Sequence, residues 1–250
     1  MRKKNKVLLI GGSGALGSSI IKLKVFKNLH YPKKKKLDLL NKLSIRKYLA
    51  KKYDIIINCA AIARMKECET KPLKAIKVNI FGVLNLVNEV KNYETNNKKK
   101  IRLIHISTDG VYESTKGNYT ENSIPKPYNV YSWTKLCSEE LIKLLSNYII
   151  IRTRFFNKKK IRFKTAATDI YTSMMEVNDL VKEIKHLSLL KFVGTINVGK
   201  KKKSDYLNYK NFKPNIKKCK RKDIIRELSF KIAKDASMNL SLLNMIKKKK

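Results

Sequence analysis

The chain has 250 residues, 43% of them hydrophobic, and carries 58 Lys+Arg against 19 Asp+Glu for a formal net charge of +39. That supplies a full apolar core, in one domain or a large domain with a small annex, yet no apolar run approaches the roughly 20 residues of a membrane span. The charge is lysine spread through every segment, not arginine and aromatics at defined places, which argues against specific nucleic-acid binding and suits an anionic small molecule.

The start, MRKKNKVLLIGG, has only residues 7–10 as an apolar stretch before glycine, too short for the core of a secretory signal. It reads as a first strand over 6–10, in a cytoplasmic protein. Cys59, Cys68, Cys137 and Cys219 show no CxxC pairing and no histidine at ligand spacing, so they read as reduced structural thiols and no metal site is expected. The first strand runs into Gly11-Gly-Ser13-Gly14-Ala15-Leu16-Gly17 and a short helix over 18–23. Glycines spaced GxxGxxG between strand and helix allow a tight turn, close approach of a pyrophosphate, and close helix–strand packing. The phosphates then meet free N–H groups at a helix N-terminus. A second strand should end near 29–31, where an NAD enzyme places an acid for the ribose 2′-hydroxyl. This chain has His30-Tyr31-Pro32 and then Lys33 to Lys36, so NADP(H) is favoured over NAD(H).

Leu37-Asp38-Leu39-Leu40-Asn41 precedes a helix expected over 44–52, with Ser44 as its N-cap. Residues 54–61, Asp-Ile-Ile-Ile-Asn58-Cys59-Ala60-Ala61, read as a buried strand ending in small residues that let backbone approach a ligand. Pro72 opens a helix with Ala75, Val78, Val83, Leu86 and Val90 on its apolar face. Asn79 within it reads, taken alone, as an ordinary surface or core asparagine. Residues 101–106 form an apolar strand that empties into Ser107-Thr108-Asp109. After a loop rich in Gly, Asn and Pro, Tyr131-Ser-Trp-Thr-Lys135 heads a helix over 130–145. A hydroxyl at a strand end, with Tyr and Lys on one helix face, can move a proton onto or off a carbonyl oxygen. A nearby ammonium is expected to bring the tyrosine down from its ordinary pKa of about 10.

A strand over 148–152, a helix over 177–190 and a late strand over 195–198 follow. From 200 onward the chain reads as irregular and Lys-rich, with one helical stretch near 223–234. The βαβα alternation argues an α/β fold with a Rossmann-type, doubly wound parallel sheet. Residues 1–152 are expected as the dinucleotide-binding domain with the Tyr-Lys helix. Residues 153–250 are expected as a small, reduced substrate-binding part, in which 176–200 return to the sheet, ending in a basic tail.

In this order the motifs resemble those of the extended short-chain dehydrogenase/reductase superfamily. More narrowly, residues 5–200 are similar to the dTDP-4-dehydrorhamnose reductase family of nucleotide-sugar reductases. The matching pieces are Gly11, Gly14 and Gly17, Asp38 in LDLLN, Asn58-Cys-Ala-Ala61, Cys68-Glu69, Asn79 in VNxxG, Ser107-Thr108-Asp109, Tyr119-Thr-Glu121, Pro127 and Tyr131-x-x-x-Lys135. The resemblance implies that Tyr131 donates a proton to the substrate oxygen as hydride arrives from a nicotinamide. It implies Lys135 as the group that lowers the tyrosine pKa and holds the nicotinamide ribose, Thr108 on the reacting oxygen, and Asn79 holding the lysine through a water. Cofactor contacts are implied for Gly11, Ser13, Gly14, Ala15, Leu16, Gly17, Asp38, Leu39, Cys59, Ala60, Ala61, Ser107, Tyr131 and Lys135, with Asp38 at the adenine end.

The implied activity is NADPH-dependent reduction of a 4-keto nucleotide-activated deoxysugar, for a surface polysaccharide. The alternatives are an epimerase of the same superfamily, or a non-catalytic NADP-binding regulatory subunit such as that of methionine adenosyltransferase. A homodimer stays open. Three departures stand out. Gly110 occupies the third place of the Thr-Asp-x triplet, where 4,6-dehydratases use Glu; Tyr131-Ser132 replaces the family's YG; and a short basic stretch over 154–168 stands where the family inserts an NNF segment and a helix.

Overall fold

Short runs of Val, Leu and Ile form strands buried on both faces, as a parallel sheet between two helical layers requires. The computed structural model describes residues 5–226, 228 and 230–248. β1 (Val7–Ile10) leads through α1 (Ala15–Leu23) to β2 (Leu29–His30), and α2 (Lys42–Leu49) leads to β3 (Ile55–Asn58). Helices α3 (Met65–Thr70) and α4 (Pro72–Ile76), a π-helical turn (Lys77–Phe81) and α5 (Gly82–Asn97) carry the chain to β4 (Arg102–Thr108). After a long loop, α6 (Val130–Ile142) leads to β5 (Tyr148–Thr153). The short strands β6 (Phe155–Phe156), β7 (Thr165–Ala167), β8 (Tyr171–Thr172) and β9 (Met175–Glu176) precede α7 (Val177–Leu187) and β10 (Gly194–Val198). Then come β11 (Lys203–Ser204), α8 (Asp205–Lys210), β12 (Lys217–Cys219), α9 (Arg221–Ile225) and α10 (Ser241–Lys248).

Six strands form one parallel sheet in the order β10-β5-β4-β3-β1-β2. The expected doubly wound sheet is therefore the fold observed, with its switch of direction between β1 and β3. Alternating side chains feed two cores. Leu9, Ile57, Ile104, Ile151 and Val198 face α1, α7 and α10, while Leu8, Ile56, Leu103 and Ile150 face α2, α5 and α6. Beyond the sheet, β7 pairs with β12, β8 with β11 and β6 with β9. Ala166, Tyr206 and Ile216 form a small apolar centre there.

A buried polar network binds the sheet to the helix that follows β4. Arg152 on β5 makes an ion pair of 2.7 Å with Glu139 on α6, both nearly inaccessible, and Glu139 also accepts from the Ser107 hydroxyl. Arg152 donates to the Tyr112 hydroxyl (2.9 Å), which donates to Asn197 Oδ1 on β10 (2.8 Å). Asn197 in turn donates its N–H to Glu121 and its side-chain amide to the Tyr119 carbonyl. The Tyr119-Thr-Glu121 motif thus anchors the loop after β4 to the far edge of the sheet.

Three expectations need correction. Ser44 does not cap α2; Asn41 does, accepting the Ser44 N–H at 3.1 Å, while the Ser44 hydroxyl donates to the Asp38 carbonyl. The helical stretch expected over 223–234 is the short α9, confined to Arg221–Ile225; Glu227 and Ser229 of that stretch lie outside the described residues. The segment after 200 is not an irregular tail. Its α10 has an apolar face, with Leu242, Leu243 and Ile246 packed on the core beside α7 and β10. No helix among the described residues is long and apolar enough to cross a membrane.

Because Leu243 is buried in the sheet core, Leu243→Ala should lower stability by about 2–5 kcal/mol, read as a shifted urea midpoint at unchanged slope. A tail hanging free of the core would leave the midpoint unmoved.

Candidate active site

The strand carboxyl ends of a doubly wound sheet are where ligands bind, and the sequence motifs converge there. Gly11 follows β1 with φ +84, in the left-handed region that favours glycine, and a Cβ on it would lie 2.6 Å from the Ala60 nitrogen. A Cβ on Gly17 would lie 2.3 Å from the Gly11 carbonyl oxygen. These two glycines are demanded by the protein's own packing. Gly14 is not: a Cβ there meets only the Gly11 oxygen, at 3.4 Å. Gly14 is also the N-cap of α1, with no side-chain cap and no acid in the first turn. An uncapped positive helix end beside an open glycine fits a pyrophosphate.

Around this turn Ser13 and Ala15 are exposed, whereas the Leu16 side chain is in the core, so only its backbone faces the loop. Asp38 is half-buried and accepts the Leu40 N–H. Leu39 is core, and its carbonyl is taken by Asn85. Cys59, Ala60 and Ala61 are half-buried at the end of β3, and Ala60 N–H donates to Asn58 Oδ1 at 3.1 Å. Burial pushes the Cys59 thiol up to about 12, against the opposing charge of Lys135. Lys33 to Lys36 are exposed, and none is paired with an acid among the described residues.

On the other side of β3 lie the residues expected to transfer a proton. Asn129 caps α6 by accepting the Ser132 N–H (2.8 Å), and Glu69 accepts the Val130 N–H (2.8 Å), placing a carboxylate at the positive helix end. So held, α6 sets Tyr131 in its first turn near Thr108 at the end of β4; the Thr108 hydroxyl accepts the Gly110 N–H at 3.1 Å and lies 3.2 Å from Asp109 Oδ1. Lys135, one turn on, is 2% exposed, and its Nζ lies 2.8 Å from His105 Nε2. Asn79 sits in the π-helical turn, a rarity that recurs at functional sites. It receives the Ile62 N–H and donates to the Ile62 carbonyl and to Thr134 on α6. Its direct partners are therefore Ile62 and Thr134, and it ties the loop after β3 to the helix. The expected lowering of Tyr131 is also corrected. Burial pushes it up, with Asp109 and Cys68 adding in the same direction, and burial brings Lys135 down to about 8.

Several residues of the site went unassigned in the sequence. Asp109 is fully buried and ion-paired with Arg154 (2.8 Å), which stands just past β5. Burial raises Asp109, and Arg154 opposes it. Burial works against the Arg154 charge, but Asp109, Tyr128 and Asp205 hold it above its ordinary value. A position directly after a sheet strand is the signal that singles out Arg154. His105 and Asp205 carry no such signal: one reads as a strand residue, the other as a helix start far along the chain. At the third triplet position, a Cβ on Gly110 would lie 2.4 Å from Ser132 Oγ, so a side chain there would have to displace the buried Ser132 hydroxyl.

Burial raises the Asp205 carboxyl to about 6, and Asp109 pushes the same way. A folded acid raised above its unfolded value binds more protons folded than unfolded, so this group's contribution falls as pH rises through that window. Asp205→Asn should therefore gain about 1–3 kcal/mol at pH 7 and nothing at pH 4; equal effects in urea titrations at both pH values would refute the assignment.

The RmlD substrate binding domain family model matches residues 5–178. The dTDP-4-keto-6-deoxy-D-glucose reductase of Streptomyces niveus is 30% identical over 141 residues, 54% of this chain and 46% of the relative. Methionine adenosyltransferase 2 subunit beta of Rattus norvegicus is 30% identical over 148 residues, 55% of this chain and 42% of the relative. The chain thus spans about half the length of the curated relatives it matches. Among solved structures, the dTDP-4-dehydrorhamnose reductase of Bacillus anthracis in complex with NADP superposes with TM-score 0.86 at 22% identity, over 97% of this chain and 93% of that one. Thermus thermophilus UDP-glucose 4-epimerase, in complex with NAD, superposes with TM-score 0.76 at 16% identity, over 98% and 93%. These likenesses are to the fold, and the family follows from the matched residues: the chain belongs to the RmlD substrate-binding domain family.

Proposed function

We propose that the protein is an NADPH-dependent reductase of a 4-keto nucleotide-activated deoxysugar, similar to dTDP-4-dehydrorhamnose reductase, serving surface polysaccharide synthesis. The observation that carries this reading is the convergence of Thr108 at the end of β4 with Tyr131 and Lys135 on the first turns of α6, at the same sheet edge as the open Gly14 turn. NADPH, when bound, supplies the hydride. Thr108 holds the carbonyl oxygen, and the Tyr131 O–H donates the proton that completes the alcohol, a contribution of about 10²–10⁴ in rate. A tyrosine raised by burial stays protonated until an oxyanion forms beside it, which suits a proton donor. Asp109 is engaged by Arg154 and Gly110 leaves no acid at the third triplet position, so elimination of water lacks its two carboxyl groups and simple reduction is favoured over dehydration.

Gly11, Gly14 and Gly17 would hold the pyrophosphate, with Asp38 at the adenine end and Lys33 to Lys36 next to the 2′-phosphate. Similarity to a methionine adenosyltransferase subunit supports a second reading, a cofactor-binding partner protein without turnover. The intact Thr108, Tyr131 and Lys135 set favours the enzyme.

With dTDP-4-keto-6-deoxymannose generated in situ, Tyr131→Phe should reduce kcat at least about 100-fold while NADPH affinity, read by fluorescence, stays within about twofold. Turnover unchanged in that variant would overturn the mechanism. NADPH binding without any turnover by the unaltered protein would favour the second reading. Combined Lys33→Ala, Lys34→Ala, Lys35→Ala and Lys36→Ala changes should weaken NADPH binding and spare NADH, each measured by titration; equal losses would remove the 2′-phosphate assignment.

A further inference from the structure

His105 lies on β4 with no solvent exposure, and its two ring nitrogens have different neighbours. Nδ1 faces the Asn58 side-chain nitrogen at 3.2 Å. The orientation of that amide is fixed, because Asn58 Oδ1 already accepts the Ala60 backbone N–H; reversing it would set two donors against each other. Asn58 therefore donates, Nδ1 accepts, and the neutral ring carries its proton on Nε2. Nε2 faces Ser138 Oγ at 3.0 Å and Lys135 Nζ at 2.8 Å. The Ser138 hydroxyl donates to the Lys135 carbonyl, which leaves its oxygen free to accept from Nε2–H. A lysine amine can also accept from Nε2–H, through its lone pair. An ammonium has donors only, and at 2.8 Å it would press N–H against N–H.

We propose that His105 is a positioning residue that selects the protonation state in which Lys135 rests on the sheet: the amine is held at Nε2–H, and the ammonium is turned out towards Tyr131. The inference rests on the reductase reading above, in which the Lys135 ammonium would stabilise the phenolate that Tyr131 leaves on giving up its proton. Hydrogen bonding to the neutral form disfavours the charged one, and burial acts in the same sense on Lys135, which stands at about 8. The other groups facing Lys135 are Glu139 on α6 and Cys59 at the end of β3, both of which favour its charge. Glu139 is committed to Arg152. For His105, burial first and Lys135 second push the ring well below its ordinary value, so it remains neutral throughout the window in which the lysine titrates. His105 adds no proton of its own. It provides a dry resting place that only the uncharged lysine can use, and loading the lysine with a proton releases it at the face where a phenolate would need it.

The chain has 3 histidines, so long-range nitrogen–proton NMR of the full-length protein labelled with [15N]histidine resolves the point directly. The expected His105 pattern, assigned by its absence in His105→Gln, is a bare Nδ1 and a protonated Nε2 at every pH from about 6 to 9. The Nε2 resonance should move with a single midpoint near pH 8, the value at which Lys135 stands, and that movement should vanish in Lys135→Met. A proton on Nδ1 with a bare Nε2, or an Nε2 midpoint unchanged in Lys135→Met, would overturn the proposal. If either variant fails to fold, the ring with a bare Nδ1 and a protonated Nε2 throughout this range still decides: an Nε2 midpoint near pH 8 supports the proposal, and its absence would overturn it. None of these readings needs substrate or turnover: an inactive protein with the expected pattern would sink the reductase assignment and leave the role of His105 standing.

Discussion

The pairing of Arg152 with Glu139 is the constraint on which the arrangement of the site hangs. Two charges taken out of water on neighbouring elements must satisfy each other, and neither β5 nor α6 can slide without leaving one of them uncompensated. Through Ser107 the pair fixes the end of β4, and through Tyr112 and Asn197 it reaches β10 and the loop that carries Glu121. The stacked rings of Tyr112 and Tyr119, with centroids 4.9 Å apart, and the Arg152 guanidinium over Tyr112 fill the apolar space around it. A buried pair of this kind is weak evidence for stability and better evidence for a single defined arrangement. Here what it defines is the position of the helix bearing Tyr131 relative to the strand bearing Thr108.

The glycine turn was legible in the sequence because its requirements are local. A strand of four apolar residues, a glycine where φ must be positive, and a helix without a capping side chain all fall within 17 residues and leave a spacing that can be read directly. The catalytic helix was legible for the same reason, since Tyr131 and Lys135 share one turn. What the sequence hid is long-range. Asn79 has an unremarkable setting until Thr134, 55 positions away, is seen to receive its amide. Asp205 feels the charge of Arg154, 51 positions away in the sequence. The helix N-cap went to Asn41 instead of Ser44 because Ser44 is drawn by its hydroxyl to the Asp38 carbonyl, a preference decided by the fold of the preceding turn. The C-terminal helix was hidden by its composition: lysines at its end masked an apolar face that only the neighbouring α7 reveals.

Charge plays different parts in the two halves. The exposed lysines give the molecule a broad positive field that draws anions without discriminating among them. Near the reacting groups the electrostatics are short-range and dry. Arg154 offsets Asp109, Arg152 offsets Glu139, and Lys135 has no carboxylate of its own in direct contact among the described residues. The surface thus acts at long range on any anion, while the interior charges are settled pair by pair.

Gly110 and Ser132 occupy one shared space, and this limits how the site can vary. Enlarging residue 110 drives a Cβ to within 2.4 Å of the serine oxygen, whereas shrinking residue 132 leaves only a small gap beside the triplet. A side chain at 110 therefore requires the Ser132 hydroxyl to turn aside, because the Ser132 Cβ itself lies at an ordinary 3.4 Å. The room at the third triplet position is thus set by a residue on another element.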